Sequence, residues 1–237
     1  MKGVCAITTV FFLSLFSITA KAQTLKEHKQ VLLTGDVIYY TTQYDVVSGI
    51  FRVNNRIDNN DLVQGNYVEG ERKGIWYFFN YDKTLFLRYN YDVNKIMFID
   101  NKALANIEVK ILTDDKDAQT NASVPVPLWS FDNFYMLSTE NAKKAIDNDH
   151  RKRLKNRDLK IKVLIDIAGQ AKYYVMYNLN NTSYQKEFTI NDKMLDIRWL
   201  PSTFKDARHP SEVVFLTRIN ETVNESESGH RRINWSK

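Results

Sequence analysis

The 237 residues carry 33 basic and 28 acidic side chains, a formal charge of +5, and 43% of them are hydrophobic. A chain of this length and apolar content can bury a sizeable core and fits two small domains better than one large one. Its only cysteine, Cys5, lies in the first residues, so an exported form that has lost them has neither a disulfide framework nor a thiol nucleophile.

The first 22 residues have the pattern of a secretory signal peptide. A basic start is followed by an apolar run from Val4 to Ala20 and by an Ala-Lys-Ala sequence before Gln23, which predicts cleavage after residue 22. The competing interpretation is a membrane anchor, but this run is shorter than the roughly 20 residues that a spanning helix needs. Cleavage removes Lys2 and Lys21, which leaves 31 basic and 28 acidic side chains, or +3. We therefore expect a periplasmic or secreted protein without a transmembrane anchor.

Residues 23–112 are predicted to form a sheet of antiparallel β-hairpins. A strand candidate at Val37–Thr42 comes first, and two alternating apolar runs, Gly74–Phe79 and Leu85–Tyr91, follow around the turn-forming residues Asn80–Lys83. Aromatic residues make up 13% of the chain, which favours strands because aromatic side chains pack well on pleated surfaces. Alternate residues of each run share a face, so one face is a candidate core face.

The same order of glycine and apolar residues occurs twice in this region. Gly49 and Gly74 each precede an isoleucine and an aromatic residue, 25 residues apart (74 − 49). A short period of this kind is typical of stacked supersecondary units. The pattern resembles MORN-like repeats of the YwqK type over about residues 32–98, with matches at Gly65, Tyr67, Gly70, Gly74, Trp76 and Phe79. It departs from them around Asp82 and at 93–95, and an ordinary antiparallel meander is the alternative.

The next segment contains a strand and a predicted linker. Ile107–Ile111 alternates apolar with charged residues, which predicts a half-exposed strand that closes the first sheet. Residues 113–128 break every pattern and include two prolines that cannot donate to a ladder. Asp114, Asp115 and Asp117 suggest a calcium loop, but the glycine and the distal glutamate of that motif are missing, so a solvated linker is favoured.

Residues 129–220 are predicted to form a small α+β domain in the order α-β-β-α-β. The elements are a mostly solvated helix at 138–156, strands at Leu159–Asp166 and Ala171–Tyr177, a short helix that begins near Thr189–Asp192, and a strand at Val213–Ile219. Basic residues gather at 143–162. A nucleic-acid footprint is disfavoured by export, and an exposed helix face or contact with anionic envelope components is the preferred interpretation.

This order of elements resembles the C-terminal periplasmic domain of TonB-type proteins. The residues that carry the resemblance are Val163, Ile165, Asp166, Gly169, Trp199 and Pro201 together with the closing strand. The resemblance implies a protein partner at the outer membrane. The tyrosine–proline segment expected ahead of the first strand is not evident, and an α/β sandwich of no special lineage is an equal alternative. Residues 221–237 are polar and are predicted to be a disordered tail.

No catalytic signature is found in the sequence. The four histidines are far apart without metal-ligand spacing, and neither a phosphate loop nor a nucleophile elbow occurs. Carboxylates such as Glu69, Glu71 and Asp82 would need folding to form a catalytic pair. We therefore predict no catalytic residue, no cofactor and no metal site.

The sequence thus predicts an exported, non-enzymatic cell-envelope protein with two separately packed parts. It is expected to bind an envelope or outer-membrane protein, and no nucleic acid, through candidate surface residues Tyr67, Trp76, Phe78, Tyr89 and Trp199 or by adding a strand along an exposed edge. The alternative is an exported hydrolase that acts on envelope glycan or peptide. Two carboxylates with aromatic neighbours in one pocket would favour the hydrolase, whereas an exposed edge or a flat aromatic face would favour the binding protein.

Overall fold

A computed structural model of the chain describes residues 24–32, 34–105, 107–190 and 195–218. The predicted signal peptide, the predicted tail and most of the short helix expected near residue 192 lie outside the described residues. Within the described part, no helix is long and apolar enough to cross a membrane.

The first sheet is a seven-stranded antiparallel meander in which the spatial order of the strands equals their order in the chain. Alternating apolar residues and turns at left-handed residues produce this arrangement; Glu69 and Gly70, with φ of 52° and 83°, form the turn between the fourth and fifth strands. The predicted antiparallel sheet is confirmed. Its strands are β1 Lys26–Leu32, β2 Gly35–Thr41, β3 Gly49–Asn54, β4 Asp61–Val68, β5 Glu71–Phe79, β6 Leu85–Asn90 and β7 Lys95–Ile99.

The two glycines of the predicted 25-residue repeat both have positive φ but occupy different positions in their strands. Gly49 and Gly74 have φ of +90° and +66°, values that L side chains rarely adopt. Gly49 begins β3 and lies opposite Tyr67, whereas Gly74 lies inside β5 and accepts a hydrogen bond from the backbone N–H of Tyr91. The prediction that Gly74 opens a strand is therefore wrong, since β5 begins at Glu71.

A 3₁₀ helix at Asn101–Leu104 leads from β7 to the second part of the chain. The described strands of this part are β8 Glu108–Ile111, β9 Val126–Pro127, β10 Asp158–Ile165, β11 Ala171–Leu179, β12 Thr182–Phe188, β13 Trp199–Leu200, β14 Ser202–Phe204, β15 Ala207–His209 and β16 Ser211–Arg218. Five of them form the second, antiparallel sheet in the order β12-β11-β10-β16-β8. The predicted hairpin and closing strand are confirmed as β10, β11 and β16, whereas β12 was not predicted.

Strand β8 pairs with β16, with Val109 opposite Val213. The prediction that this segment closes the first sheet is therefore wrong. Alternation of apolar and charged residues indicates a half-exposed strand, but it does not indicate which distant strand will supply the hydrogen-bond partners.

Among the described residues, three α-helices lie between β8 and β10 in the chain: α1 Lys116–Asn121, α2 Phe131–Ala145 and α3 Asn148–Arg153. The predicted linker at 113–128 is an ordered segment, because it contains α1 and β9, and Val126 and Leu128 are buried. The single helix predicted at 138–156 is instead two helices, and the first begins seven residues earlier than predicted (138 − 131) because Ser130 caps it.

The two sheets share one hydrophobic interior. Trp76 of the first sheet and Val163 of the second belong to the same buried cluster. Aromatic residues around the start of α2 connect them: the rings of Phe51 and Trp129 are 6.4 Å apart, and those of Phe134 and Phe215 are 5.9 Å apart. The prediction that the two parts pack separately is therefore wrong, although each sheet keeps its own backbone hydrogen bonds.

Hydrogen bonds from the start of α2 fix this helix to the first sheet. The Ser130 hydroxyl donates to the carbonyl of Phe79 at 2.6 Å, and the Asn133 amide donates to the carbonyl of Thr34 at 3.0 Å. Ser130 and Asn133 are almost fully buried. Because buried polar groups are costly without partners, these bonds specify how α2 meets the sheet.

Candidate binding surface on the outer face of the first sheet

Four of the five residues predicted to form a binding surface are buried. Trp76 and Phe78 have no exposed area, and Tyr89 and Trp199 expose 4% and 2%. The prediction of an aromatic binding surface is therefore wrong for these residues. The physical reason is that Trp76, Phe78 and Tyr89 occupy the inner face of the first sheet, which the second part of the chain covers.

The structure does bring some of the predicted residues together. The half-buried Tyr67 ring lies edge-on to Trp76 at 5.2 Å. Gly65 makes room for the indole, because a methyl group at Gly65 would lie 2.0 Å from Cδ2 of Trp76. Trp199 lies elsewhere, in the second part, where its indole N–H donates to the hydroxyl of Tyr173.

Arg72 closes one end of this aromatic cluster. Its guanidinium lies 4.8 Å from the centre of the Trp76 ring and donates to the hydroxyls of Tyr67 and Tyr91 and to the carbonyl of Asp196. Burial raises the pKa of Tyr91, although the positive charge of Arg72 opposes that shift. Since its donors already have acceptors within the chain, Arg72 joins the two parts of the fold and is not a ligand site.

The outer face of the first sheet has a different composition. A row of side chains crosses four strands at paired positions: Arg52 is opposite Gln64, Gln64 is opposite Tyr77, and Tyr77 is opposite Arg88. All four residues are partly exposed. Phe98 on β7 continues the row beyond Arg88 and is 43% exposed. We call these five residues the outer row.

The two arginines of the outer row have no acidic partner. Among the described residues, neither Arg52 nor Arg88 makes an ion pair, and the Nε atom of each is buried without a hydrogen-bond acceptor. The positive charge of Arg52 is felt by Tyr40, whose pKa is nevertheless raised because its hydroxyl donates to Glu27. Two cations with unused donors therefore lie on one open face.

A groove runs beside the outer row, between β3, β4 and β5. Its volume is about 450 Å³, within the range of ligand sites, and Gln64 and Tyr77 belong to both features. Its other lining residues are Ile50, Gly65, Asn66, Lys73, Gly74 and Ile75. Ile50 and Ile75 are 48% and 40% exposed, so the groove offers apolar contact between polar side chains.

Strand β7 is an exposed edge of this sheet. Ile96 and Met97 are 36% and 45% exposed, which is unusual for an edge, because natural edges are commonly protected by charged residues. The opposite edge, β1, is rich in charged residues. A shift in the pairing of β6 with β7 leaves Met97 without a residue opposite it, so the unpaired edge is short and irregular.

The carboxylates considered for hydrolysis do not meet. Glu71 begins β5 and pairs with Lys73 at 2.7 Å, whereas Asp82 lies in the turn beyond the other end of β5 and accepts from Thr84. The groove has no carboxylate in its lining. Within the described ranges, no group of three or more His, Cys, Asp or Glu side chains is arranged to hold a metal ion.

The densest part of the predicted basic cluster, residues 150–153, lies on α3, of which no residue is buried. Other members of the cluster lie on α2, at Lys143 and Lys144, and on β10, at Lys160 and Lys162. The prediction of an exposed helix face is therefore confirmed for α3 only. The Nδ1 of His150 lies 3.0 Å from the hydroxyl of Tyr177.

Sequence reasoning missed Arg52, Gln64, Tyr77 and Arg88 as site residues. One feature of the sequence points to the outward position of Tyr77. Gly65 is the only glycine of β4, and a glycine inside a strand often marks a place where a group from a neighbouring strand approaches the backbone closely. That places Trp76 inside and therefore its neighbour Tyr77 outside.

Comparison with protein-family models, with curated proteins and with solved structures found no match to this chain. The resemblances to MORN-like repeats and to TonB-type domains therefore stay predictions that rest on the residues quoted for them.

Proposed function

We propose that this chain is an exported, non-enzymatic protein of the cell envelope, periplasmic or secreted, that binds another protein through the outer face of its first sheet. The observation that carries the proposal is the contrast between the two faces of this sheet. The inner face is used in the shared core, whereas the outer face leaves apolar side chains and two unpaired arginines uncovered.

Several features of the outer face fit a protein partner. Ile50, Ile75 and Phe98 supply exposed apolar area, and Arg52 and Tyr77 belong to the residue types that are enriched in protein interfaces. Export rests on the predicted signal peptide, and the resemblance of residues 129–220 to TonB-type domains supports a partner at the outer membrane.

The hydrolase alternative is less well supported. Sugar hydrolysis needs two carboxylates that face one cavity, at a separation of roughly 5–10 Å. The groove has none in its lining, and Glu71 and Asp82 lie at opposite ends of β5. We therefore favour binding over hydrolysis.

The proposal is tested by photo-crosslinking in the cells that produce the protein. A photoreactive phenylalanine analogue replaces Ile75 on the outer face or, as a matched control, Tyr44, which is 75% exposed in the loop between β2 and β3. We expect a defined protein adduct from position 75 and none from position 44.

A second variant checks that the crosslinked protein is bound at the outer face of the first sheet. With the analogue at position 50, the substitution Ile75→Lys is expected to abolish the adduct, because both side chains line the same groove. Equal adducts at positions 44 and 75, or no protein adduct at either, would contradict the proposal. Turnover of envelope glycan or peptide by the purified chain would instead support the hydrolase.

A further inference from the structure

We infer that the outer row receives an acidic, extended segment of the protein partner, with one carboxylate on Arg52 and another on Arg88. This inference rests on the proposed function and adds the chemistry of the partner. It is carried by the pairing of the row, by the lack of an ion pair at either arginine among the described residues and by the spacing of the two arginines.

The unused donors distinguish these two arginines from others in the chain. Arg198 and Arg218 are paired with Asp196 and Asp158 at 2.7 Å, and Arg72 is held by tyrosine hydroxyls and a carbonyl. Arg52 and Arg88 have neither arrangement among the described residues. Because each Nε is buried, a carboxylate of the partner would bind the outer nitrogens of these partly exposed guanidinium groups, whose charges no described acidic side chain neutralises.

Among the described residues, the acidic side chains of β1 and β2 on this face have partners other than the two arginines. Asp36, diagonal to Arg52 on β2, lies 2.7 Å from Lys29 and 3.8 Å from Arg56, and Glu27 accepts a hydrogen bond from the Tyr40 hydroxyl. On the side of the groove, the positions that flank the outer row on β3–β6 are Ile50, Asn66, Ile75 and Asn90, and none of them is acidic. Lys73, at the far side of the groove, is already paired with Glu71. The centre of the outer face therefore has an uncompensated positive charge that is complementary to a carboxylate-bearing partner.

The spacing of the two arginines defines the pattern of the segment. Arg52 and Arg88 lie on β3 and β6, three strand spacings apart, which corresponds to about 14 Å at the usual 4.7–4.9 Å between strands. An extended chain rises about 3.3 Å per residue and places alternate side chains on one face. Acidic residues four positions apart therefore span about 13 Å on the same face.

The residue midway between the two acids faces the centre of the row. Gln64 and Tyr77 lie there, with the groove and Ile75 beside them. The pattern that fits is acidic–any–apolar–any–acidic, in a segment that crosses the strands. Arginine suits this task better than lysine, because its planar guanidinium binds a carboxylate through two parallel hydrogen bonds.

Anionic lipid surfaces and acidic polysaccharides share the charge of this segment but fit less well. Membrane-binding sites usually cluster four to eight basic residues, whereas the outer row has two, with an amide and an aromatic ring between them. The binding test therefore includes a lipid and a glycan as competing ligands.

The test measures fluorescence anisotropy of labelled peptides with purified residues 23–237. The peptides contain Glu-Ser-Leu-Ser-Glu or Gln-Ser-Leu-Ser-Gln between identical flanks. We expect the glutamate peptide to bind more tightly than the glutamine peptide. Arg52→Gln and Arg88→Gln should each weaken it about tenfold or more, because hydrogen bonds between charged groups are lost.

Arg218→Gln is the matched control, since it removes the same charge from the second sheet, and should leave peptide binding unchanged. Arg52→Lys and Arg88→Lys should give intermediate affinities. Equal binding of the two peptides, or full binding by the Arg52→Gln Arg88→Gln double variant, overturns the inference. Tighter binding of phosphatidylserine vesicles or alginate than of the glutamate peptide overturns it in favour of a lipid or a glycan.

The outcomes separate this inference from the proposed function. A protein adduct at position 75 without binding of the glutamate peptide leaves the proposed function standing and refutes the acidic segment. Peptide binding that depends on both arginines, without any protein adduct in cells, supports the acidic chemistry of the face and refutes the protein partner in those cells.

Discussion

The close approach of Trp76 to Gly65 makes the substitution Gly65→Ala a sharp test of the fold. The added methyl group would lie 2.0 Å from Cδ2 and 2.2 Å from Cε2 of the indole, so the ring must move. The ring has little freedom to do so. The rings of Phe51 and Tyr91 lie 5.5 Å from the Trp76 ring, and the first belongs to the buried core while the second packs against it. The Arg72 guanidinium lies 4.8 Å from the centre of the Trp76 ring.

The expected loss follows from overpacking of a filled core. Extra methyl groups in well-packed interiors usually cost about 1–3 kcal/mol, and more where nothing can yield. Replacing glycine also restricts the unfolded chain, which offsets up to about 1 kcal/mol. We expect Gly65→Ala to lower the free energy of unfolding by about 2 kcal/mol and Tm by about 4–8 °C for a chain of this size.

The assay is urea unfolding followed by tryptophan fluorescence, repeated in a Trp76→Leu background. If the clash with the indole causes the loss, Gly65→Ala costs much less when Trp76 is absent, and the coupling in the double-mutant cycle exceeds about 1 kcal/mol. Asn66→Ala, on the exposed outer face, is the control and should stay within about 0.5 kcal/mol of the parent protein. Additive effects of Gly65→Ala and Trp76→Leu would refute the packing described here.

Three further substitutions test how the two parts are joined. Burial raises the pKa of the Asp132 carboxyl, although the Tyr81 backbone N–H donates to it. As the pH rises, the unfolded chain therefore releases this proton before the folded protein does, and the free energy of unfolding falls above about pH 4. Asp132→Asn should remove this fall in urea unfolding between pH 4 and 7, and an unchanged pH profile would contradict the burial of this carboxyl. Arg72→Gln should lower the free energy of unfolding by about 2–3 kcal/mol, because three hydrogen bonds of the guanidinium are lost. Arg72→Lys should recover less than half of this loss, because an ammonium group cannot reach three separated acceptors. Full recovery by lysine would show that the hydrogen bonds of Arg72 do not join the two parts of the fold. Ser130→Ala removes both the cap of α2 and the hydrogen bond to the Phe79 carbonyl, and it should lower the free energy of unfolding by about 1–2 kcal/mol. A loss below about 0.3 kcal/mol would show that these two hydrogen bonds do not stabilise the contact between α2 and the first sheet.

The local elements were predictable because they follow from side-chain alternation. Leu159–Asp166 alternates apolar and polar residues strongly, and it forms β10 nearly at the predicted bounds. Strand β12, Thr182–Phe188, was missed because only Phe188 is buried and the other residues give a weak apolar signal. The partner of β8 was wrong because a pattern within four residues carries no information about a strand a hundred positions later.

Residues 113–128, predicted as a linker from their polar composition, include a buried apolar segment. Residues 113–123 are mostly exposed, as predicted, but the run that follows packs Val126 and Leu128 into the core. Its prolines do not prevent this, because β9 forms a two-residue ladder with β13, in which Pro127 is opposite Trp199. An apolar segment next to prolines was therefore a signal of burial.

The binding site was misplaced for a related reason. The sequence marks Trp76 and Phe78 as large aromatic residues in an alternating run, but alternation alone does not show which face of the strand is exposed. In the structure a two-layer fold uses its largest rings where they bury most area, so the alternate residues, Tyr77 among them, face outward. The Nε atoms of Arg52 and Arg88 have no acceptor among the described residues. The neighbours that could accept come from the four strands paired with β3 and β6, and no single stretch of sequence shows which residues these are.

The two faces of the first sheet impose opposite demands on their arginines. On the inner face, Arg72 is stabilised by acceptors from both parts of the chain, so it adds to the stability of the free protein. On the outer face, Arg52 and Arg88 have neither an ion pair nor an acceptor for Nε among the described residues, so their charges add little to the stability of the free protein. Replacing both outer arginines should therefore cost the free protein little stability while it removes partner binding, whereas replacing Arg72 should do the reverse.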